Sequence, residues 1–74
     1  MTLADLNTGQ SAKVVTINAQ DALKKRFSSF GLRKGALVNI QAVSMTKSTM
    51  EVSVGATKLA MRFEEAKEVA VQMV

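Results

Sequence analysis

The sequence contains no cysteine, histidine, tryptophan or tyrosine. Without cysteine, the chain can form neither a disulfide framework nor a thiolate metal site. Without histidine, it lacks the commonest general base and the commonest transition-metal ligand, so no familiar Ser-His arrangement can form. No glycine-rich phosphate loop is present either. We therefore predict a non-enzymatic protein with no catalytic residues, no cofactor and no metal site.

Aromatic residues and long apolar runs are also scarce. The three phenylalanines are the only aromatic residues, fewer than platforms that stack single-stranded bases usually need. No run of about 18 apolar residues occurs, and the N-terminus lacks the basic and apolar regions of a signal peptide. We expect one domain over residues 1–74, a cytoplasmic location, no direct membrane insertion and no nucleic-acid partner.

The net charge of +4 has several interpretations. It fits a nucleic acid, an anionic membrane surface or an acidic protein partner, but it also simply keeps a small protein soluble. Half of the basic residues lie within eleven positions, where they either complement the negative end of a helix dipole or form a contact surface. These residues are Lys24, Lys25, Arg26, Arg33 and Lys34.

Short segments with alternating or β-branched apolar residues predict five strands. The connections within the run of strands are too short for parallel crossovers, which favours antiparallel pairing in a small, partly open barrel. Strict alternation would place Val15 opposite to Val14 and would turn Ala42 inward with Ile40. The predicted strands are Gln10–Ile17, Ala36–Val43, Thr49–Val54, Lys58–Phe63 and Val69–Val74.

One helix is predicted over Asn18–Phe30, with Asn18 as its N-cap and Gly31 as its left-handed stop. An apolar stripe at helical spacing should face the core, and it consists of Ala19, Leu23, Phe27 and Phe30.

The end of this helix and the turn that follows it contain three notable residues. Leu32 either folds back over the helix end or, if exposed, becomes a candidate hot spot for a partner. Gly35 is expected to adopt a positive φ. Arg26 directly precedes the core residue Phe27, so its side chain cannot point straight at the core. Its guanidinium could bind loop carbonyls or a partner carboxylate.

A cluster of acidic residues near the C-terminus, Glu64, Glu65 and Glu68, could gather on one helical turn. Such a cluster could hold a hard cation weakly, although a solvated helix face beside Lys67 is the favoured interpretation.

The run from Leu23 to Gly35, with its Gly-Leu-x-x-Gly ending, resembles the helix-turn signature of the FeoA family, ferrous iron transport protein A. Leu3-Ala4-Asp5-Leu6-x-x-Gly9 is similar to the start of that family, and Thr57–Arg62, Glu64-Glu65-Ala66 and Val69-x-Val71 are similar to its end. The resemblance covers essentially the whole chain. The connection Ser44–Thr49 departs from the pattern because it lacks the usual prolines and glycine, and Phe27 and Phe30 replace leucines.

The resemblance implies an SH3-like five-stranded barrel with one helix after the first strand. It further implies a cytosolic accessory protein of ferrous iron uptake that binds the cytosolic GTP-binding part of the membrane transporter FeoB. We expect the contact surface at the helix end and the following turn, formed by Arg26, Phe27, Gly31, Leu32, Arg33, Lys34 and Gly35.

The sequence is also compatible with other functions. The chain could be a basic nucleic-acid-binding barrel, a regulatory interaction module of an iron-dependent repressor system, or itself a binder of ferrous iron. Self-association through an open strand edge would give a homo-oligomer.

Overall fold

Five antiparallel strands form one sheet in the computed structural model, which describes all 74 residues. The strand order is β4-β3-β2-β1-β5, so the sheet does not close on itself. A 3₁₀ turn at Leu3–Asp5 precedes the sheet. This confirms the predicted mainly β architecture with one helix after the first strand. The elements are β1 (Ser11–Ile17), α1 (Asp21–Ser29), β2 (Leu37–Val43), β3 (Thr49–Val54), β4 (Thr57–Arg62), α2 (Phe63–Ala66) and β5 (Val69–Met73).

A β-bulge at Val15 overturns the strict alternation predicted for β1. Val14 pairs with Val71 and Thr16 with Ala70, which leaves Val15 as the extra residue. A bulge of this kind shifts the side-chain pattern by one position. Val14 and Ile17 are therefore both buried, while Val15 is exposed.

A second bulge in β2 corrects the prediction for Ala42. Ile40 pairs with Val52 but Ala42 pairs with Glu51, so Gln41 is the additional residue. Ala42 is consequently exposed, and the half-buried Val43 takes the inward position in register with buried Met50.

The helix begins later than the sequence predicts. Asn18 is not its N-cap, because the Asn18 amide donates to the Glu68 carbonyl at 2.7 Å and so belongs to the connection with β5. Gln20 occupies the N-cap position without a side-chain cap bond, and Asp21 lies in the first turn, where its charge suits the helix dipole.

The predicted apolar stripe of α1 reaches the core mainly through one residue. Phe27 is fully buried, whereas Ala19 and Leu23 are half-buried against the core. Phe30 follows the end of the helix and is 40% exposed, so the expectation that it lies in the core is wrong.

The core contains only apolar side chains, and no buried side-chain polar atom lacks a partner. Strands, helices and the 3₁₀ turn all contribute to it. Its seventeen residues are Leu3, Leu6, Ala12, Val14, Ile17, Phe27, Leu32, Val38, Ile40, Met50, Val52, Val54, Leu59, Met61, Ala66, Val69 and Val71.

The connection Ser44–Thr49 turns without proline or glycine. Lys47 adopts a positive φ of 55° at its tip. The Ser44 hydroxyl accepts the amides of Ser48 at 3.0 Å and Thr49 at 3.2 Å, which closes the turn. The departure from the family pattern is therefore compensated by a side-chain hydroxyl.

Two phenylalanines on or next to α1 should differ sharply in their contribution to stability. We expect Phe27→Ala to lower the free energy of unfolding by about 3–5 kcal/mol, because it opens a cavity under the helix. Phe30→Ala is the matched control and should cost about 1 kcal/mol or less, since its ring is partly in solvent. Urea denaturation followed by circular dichroism measures both, and equal losses would contradict this assignment of the core.

Candidate functional site

The end of α1 is closed by two backbone hydrogen bonds. The Leu32 amide donates to the Phe27 carbonyl at 3.0 Å, and the Gly31 amide donates to the Ser28 carbonyl at 2.9 Å. Gly31 has a φ of +88°, so the pair forms a Schellman motif. The side chain of Leu32 folds back and is fully buried, as one of the two sequence interpretations predicts.

The next turn presents two basic side chains on a fixed backbone. The Ala36 amide donates to the Arg33 carbonyl at 3.0 Å, and Gly35 has a φ of +88° at the third position of this turn. The Gly35 amide also donates to the Val14 carbonyl of β1 at 2.8 Å. Arg33 and Lys34 therefore extend from a loop that is anchored at both ends.

A cleft of about 290 Å³ lies between this turn, α1 and the end of β1. Lys24, Arg33 and Lys34 contribute three cations to it, and no acidic residue lines it. None of the three cations forms an ion pair, because the single salt bridge of the molecule lies elsewhere. We call this surface the basic cleft; its lining is Thr16, Ile17, Lys24, Ser28, Leu32, Arg33 and Lys34.

The chemistry of the basic cleft suits an anionic group. Three ammonium or guanidinium groups supply charge, and the Thr16 and Ser28 hydroxyls can donate hydrogen bonds. A carboxylate of a partner protein would gain charge-assisted hydrogen bonds there. Because the cleft contains no acidic side chain, its cations need not leave an internal partner before they bind.

Arg26 does not belong to the basic cleft. Its Nη1 lies 3.1 Å from Oε2 of Glu65, and these side chains are 49% and 19% exposed. The guanidinium carbon also lies 6.0 Å from the centroid of the Phe27 ring, at the limit of a cation–π contact. An ion pair with this much solvent contact adds only about 0.2–1 kcal/mol to stability, but it ties α1 to α2.

The remaining residues of the predicted contact surface have different positions. Phe27 and Leu32 are fully buried, so they support the surface from below, and Leu32 is among the residues that line the basic cleft. Gly31 and Gly35 shape the backbone of the turn. The cationic part of the prediction is thus divided between Arg26 on one side and the Arg33–Lys34 pair on the other.

Three side chains at or next to this site were not predicted from the sequence to belong to it. Thr16 and Ser28 line the basic cleft, but isolated hydroxyl residues carry no pattern that would mark them. Phe30 lies next to the turn with a partly exposed ring, and only its place after the last helical residue could have indicated this.

The acidic residues do not assemble into a cation site. No group of three or more Asp or Glu side chains is placed to hold a metal ion. Glu65 is occupied by Arg26 and by the Arg62 amide, which donates to its Oε1 at 2.9 Å.

No helix has the length and apolar composition that crossing a bilayer requires.

Comparison with known proteins gives concordant matches. The family model described as FeoA domain matches residues 1–73. A Helicobacter pylori protein named "Putative Fe(2+) transport protein A" is 35% identical over 68 residues, which cover 90% of this chain and 87% of that protein. A Campylobacter jejuni protein of the same name is 34% identical over 74 residues, with both chains covered completely.

Solved structures show the same architecture. The solution structure of the FeoA protein from Chlorobium tepidum superposes with a TM-score of 0.95 at 28% identity, covering all of this chain and 70% of that one. The zinc complex of Stenotrophomonas maltophilia FeoA, described as a procaryotic SH3 domain protein, gives 0.84 at 36% identity and covers 97% and 89%. The predicted SH3-like fold is confirmed.

Substitution of Gly35 should lower stability only because of the backbone conformation at this position. No atom lies within 4 Å of the position that a Cβ would take, so only the positive φ penalises a side chain. We expect Gly35→Ala to cost about 1–2 kcal/mol of unfolding free energy, and Gly35→Asn to cost less because asparagine tolerates this conformation. Urea denaturation of both variants checks the order; an alanine variant as stable as wild type would contradict it.

Proposed function

This chain belongs to the FeoA family, and from that premise we propose that it is a cytosolic accessory protein of ferrous iron uptake. We infer that it acts by docking onto the cytosolic GTP-binding part of an FeoB-type membrane transporter. Its relatives carry the name Fe(2+) transport protein A, and the S. maltophilia protein is described as a possible ferrous iron transport activating factor. Ferrous iron is the cargo of the transporter in this proposal, not a resident cofactor of the chain.

The observation that carries the docking proposal is the basic cleft. Its three cations have no internal partner, and the turn that bears two of them is held by the Schellman motif and by β1. Because the backbone of the turn is already held, binding costs conformational entropy mainly in the cationic side chains, and their charge favours recognition of an acidic surface.

The contact surface in this proposal differs in part from the one expected from sequence. Arg33 and Lys34 provide direct contacts, and the glycines at 31 and 35 present them. Phe27 and Leu32 act from the core as the support of the helix end. Arg26 contributes at the other side of α1, where its pair with Glu65 leaves half of its side chain exposed.

Neutralising the two turn cations should weaken transporter binding. We expect the double variant Arg33→Gln/Lys34→Gln to bind the isolated cytosolic domain of the transporter at least about tenfold more weakly, since charge-assisted contacts of about 1.5–3 kcal/mol are lost. Calorimetric titrations without nucleotide, with GDP and with a GTP analogue provide the measurement.

The matched control is Lys47→Gln/Lys67→Gln, which lowers the net charge by the same amount at two exposed positions outside the basic cleft. It should bind like wild type. Equal weakening by the two double variants would show that net charge, not the basic cleft, governs binding. Absence of wild-type binding in every nucleotide state would refute the docking proposal.

A further inference from the structure

β4 is the last strand of the sheet and has β3 as its only neighbour. The Phe63 amide, just beyond β4, donates to the Ser48 carbonyl at 3.0 Å in the register of this strand pair. Antiparallel partners alternate between hydrogen-bonded and non-bonded pairs. The odd-numbered residues of β4 therefore bond to β3, and the amides and carbonyls of Lys58, Ala60 and Arg62 point outward.

Only one of these outward amides has a partner within the chain. Glu65 Oε1 accepts the Arg62 amide at 2.9 Å. No hydrogen bond from a loop, a cap or a side chain reaches the backbone of Lys58 or Ala60, and both residues are exposed. Native proteins usually cover or block such an edge. Here nothing covers the outward backbone of Lys58 and Ala60, so this stretch is free to pair with a further strand.

The side chains along the edge form a cationic, small, cationic row. Lys58, Ala60 and Arg62 all project from the exposed face, and neither cation takes part in an ion pair. Glu51 lies opposite Ala60 on β3 and is the one acidic residue paired with this row. Arg26 and Glu65 also lie at the Arg62 end of the edge, so three cations outnumber two carboxylates and the edge attracts negative charge.

A second copy of the chain fits this edge poorly. A two-fold antiparallel pairing of β4 with itself that spans Lys58 to Arg62 is centred on Ala60. It places Lys58 directly opposite Arg62 of the other copy, on both sides of the centre. Like charges directly opposite each other destabilise a strand pair. The charge pattern thus disfavours the homo-oligomer that the open edge alone would allow.

We propose that the β4 edge binds an extended, acidic segment of a partner protein by β-strand addition. The segment would place a small residue opposite Ala60 and carboxylates opposite Lys58 and Arg62. Main-chain hydrogen bonds to Lys58 and Ala60 would supply affinity, and the two ion pairs would fix register. This site is separate from the basic cleft, so a failure of docking through the basic cleft would not by itself refute it.

The Arg26–Glu65 pair sets one limit of the added strand. Glu65 already occupies the Arg62 amide, so a new strand can donate to the Arg62 carbonyl but cannot accept from its amide. An open cleft of about 480 Å³ beside Ala60, Arg62 and Arg26 leaves room for a side chain of the segment at this end.

A model peptide tests the proposal on the full chain. The probe is the blocked peptide Thr-Glu-Val-Thr-Val-Glu-Thr, and the charge-reversed control is Thr-Lys-Val-Thr-Val-Lys-Thr. At about 1 mM acidic peptide, we expect hydrogen exchange of the Lys58 and Ala60 amides, followed by NMR, to slow at least about tenfold. The lysine peptide should give no protection. Equal protection by both peptides, or none by the acidic one, overturns the proposal.

Two variants separate backbone pairing from simple charge attraction. Ala60→Pro removes an outward amide that bonds to nothing in the chain, so proline is tolerated there as on other edge strands. It should reduce peptide affinity at least about tenfold.

Lys58→Glu provides a second test should the proline variant not fold. Its matched control is Lys13→Glu, on the exposed face of the interior strand β1. We expect Lys58→Glu to weaken binding at least about tenfold and Lys13→Glu to leave it within about twofold. Wild-type binding by both edge variants contradicts the proposal. So does a wild-type dimer in sedimentation that Ala60→Pro dissociates, because the occupant would then be a second copy.

Discussion

The Leu32 amide donates to the Phe27 carbonyl across the end of α1, and both side chains lie fully buried in the core. This bond ends the helix, turns the chain through Gly31 and brings Leu32 back against the apolar interior. The turn at Arg33–Ala36 starts from that fixed point and is held again at β1 by the Gly35 amide. The geometry of the basic cleft depends on this helix end, because a looser end would let the cations of the cleft move apart into solvent.

The two bulges decide which residues the sheet offers to solvent. Each inserts one residue and reverses the inward and outward positions beyond it. In β1 the bulge at Val15 lets both Val14 and Ile17 reach the core; in β2 the bulge at Gln41 turns Val43 inward in place of Ala42. Bulges also increase local twist. The sheet that carries them stays open and keeps β4 as an unpaired edge.

The positive charge is divided among surfaces with different chemistry. One cation, Arg26, pairs with Glu65 and links the two helices. Lys24 joins Arg33 and Lys34 at the basic cleft, while Lys58 and Arg62 flank the open edge. The absence of internal partners at the last two surfaces distinguishes them from Arg26 and makes each a candidate for a separate acidic partner.

The sequence by itself determined the five strands, the helix and the left-handed stop at Gly31, because local periodicity and glycine conformation act over a few residues. It also indicated the folded-back Leu32 and a basic surface near the turn. The bulges, the exposure of Phe30 and the pairing of Arg26 with Glu65, 39 positions apart, were decided only by the tertiary structure. These features depend on strand register and on contacts between residues that are distant in sequence. Short-range patterns carry no information on either.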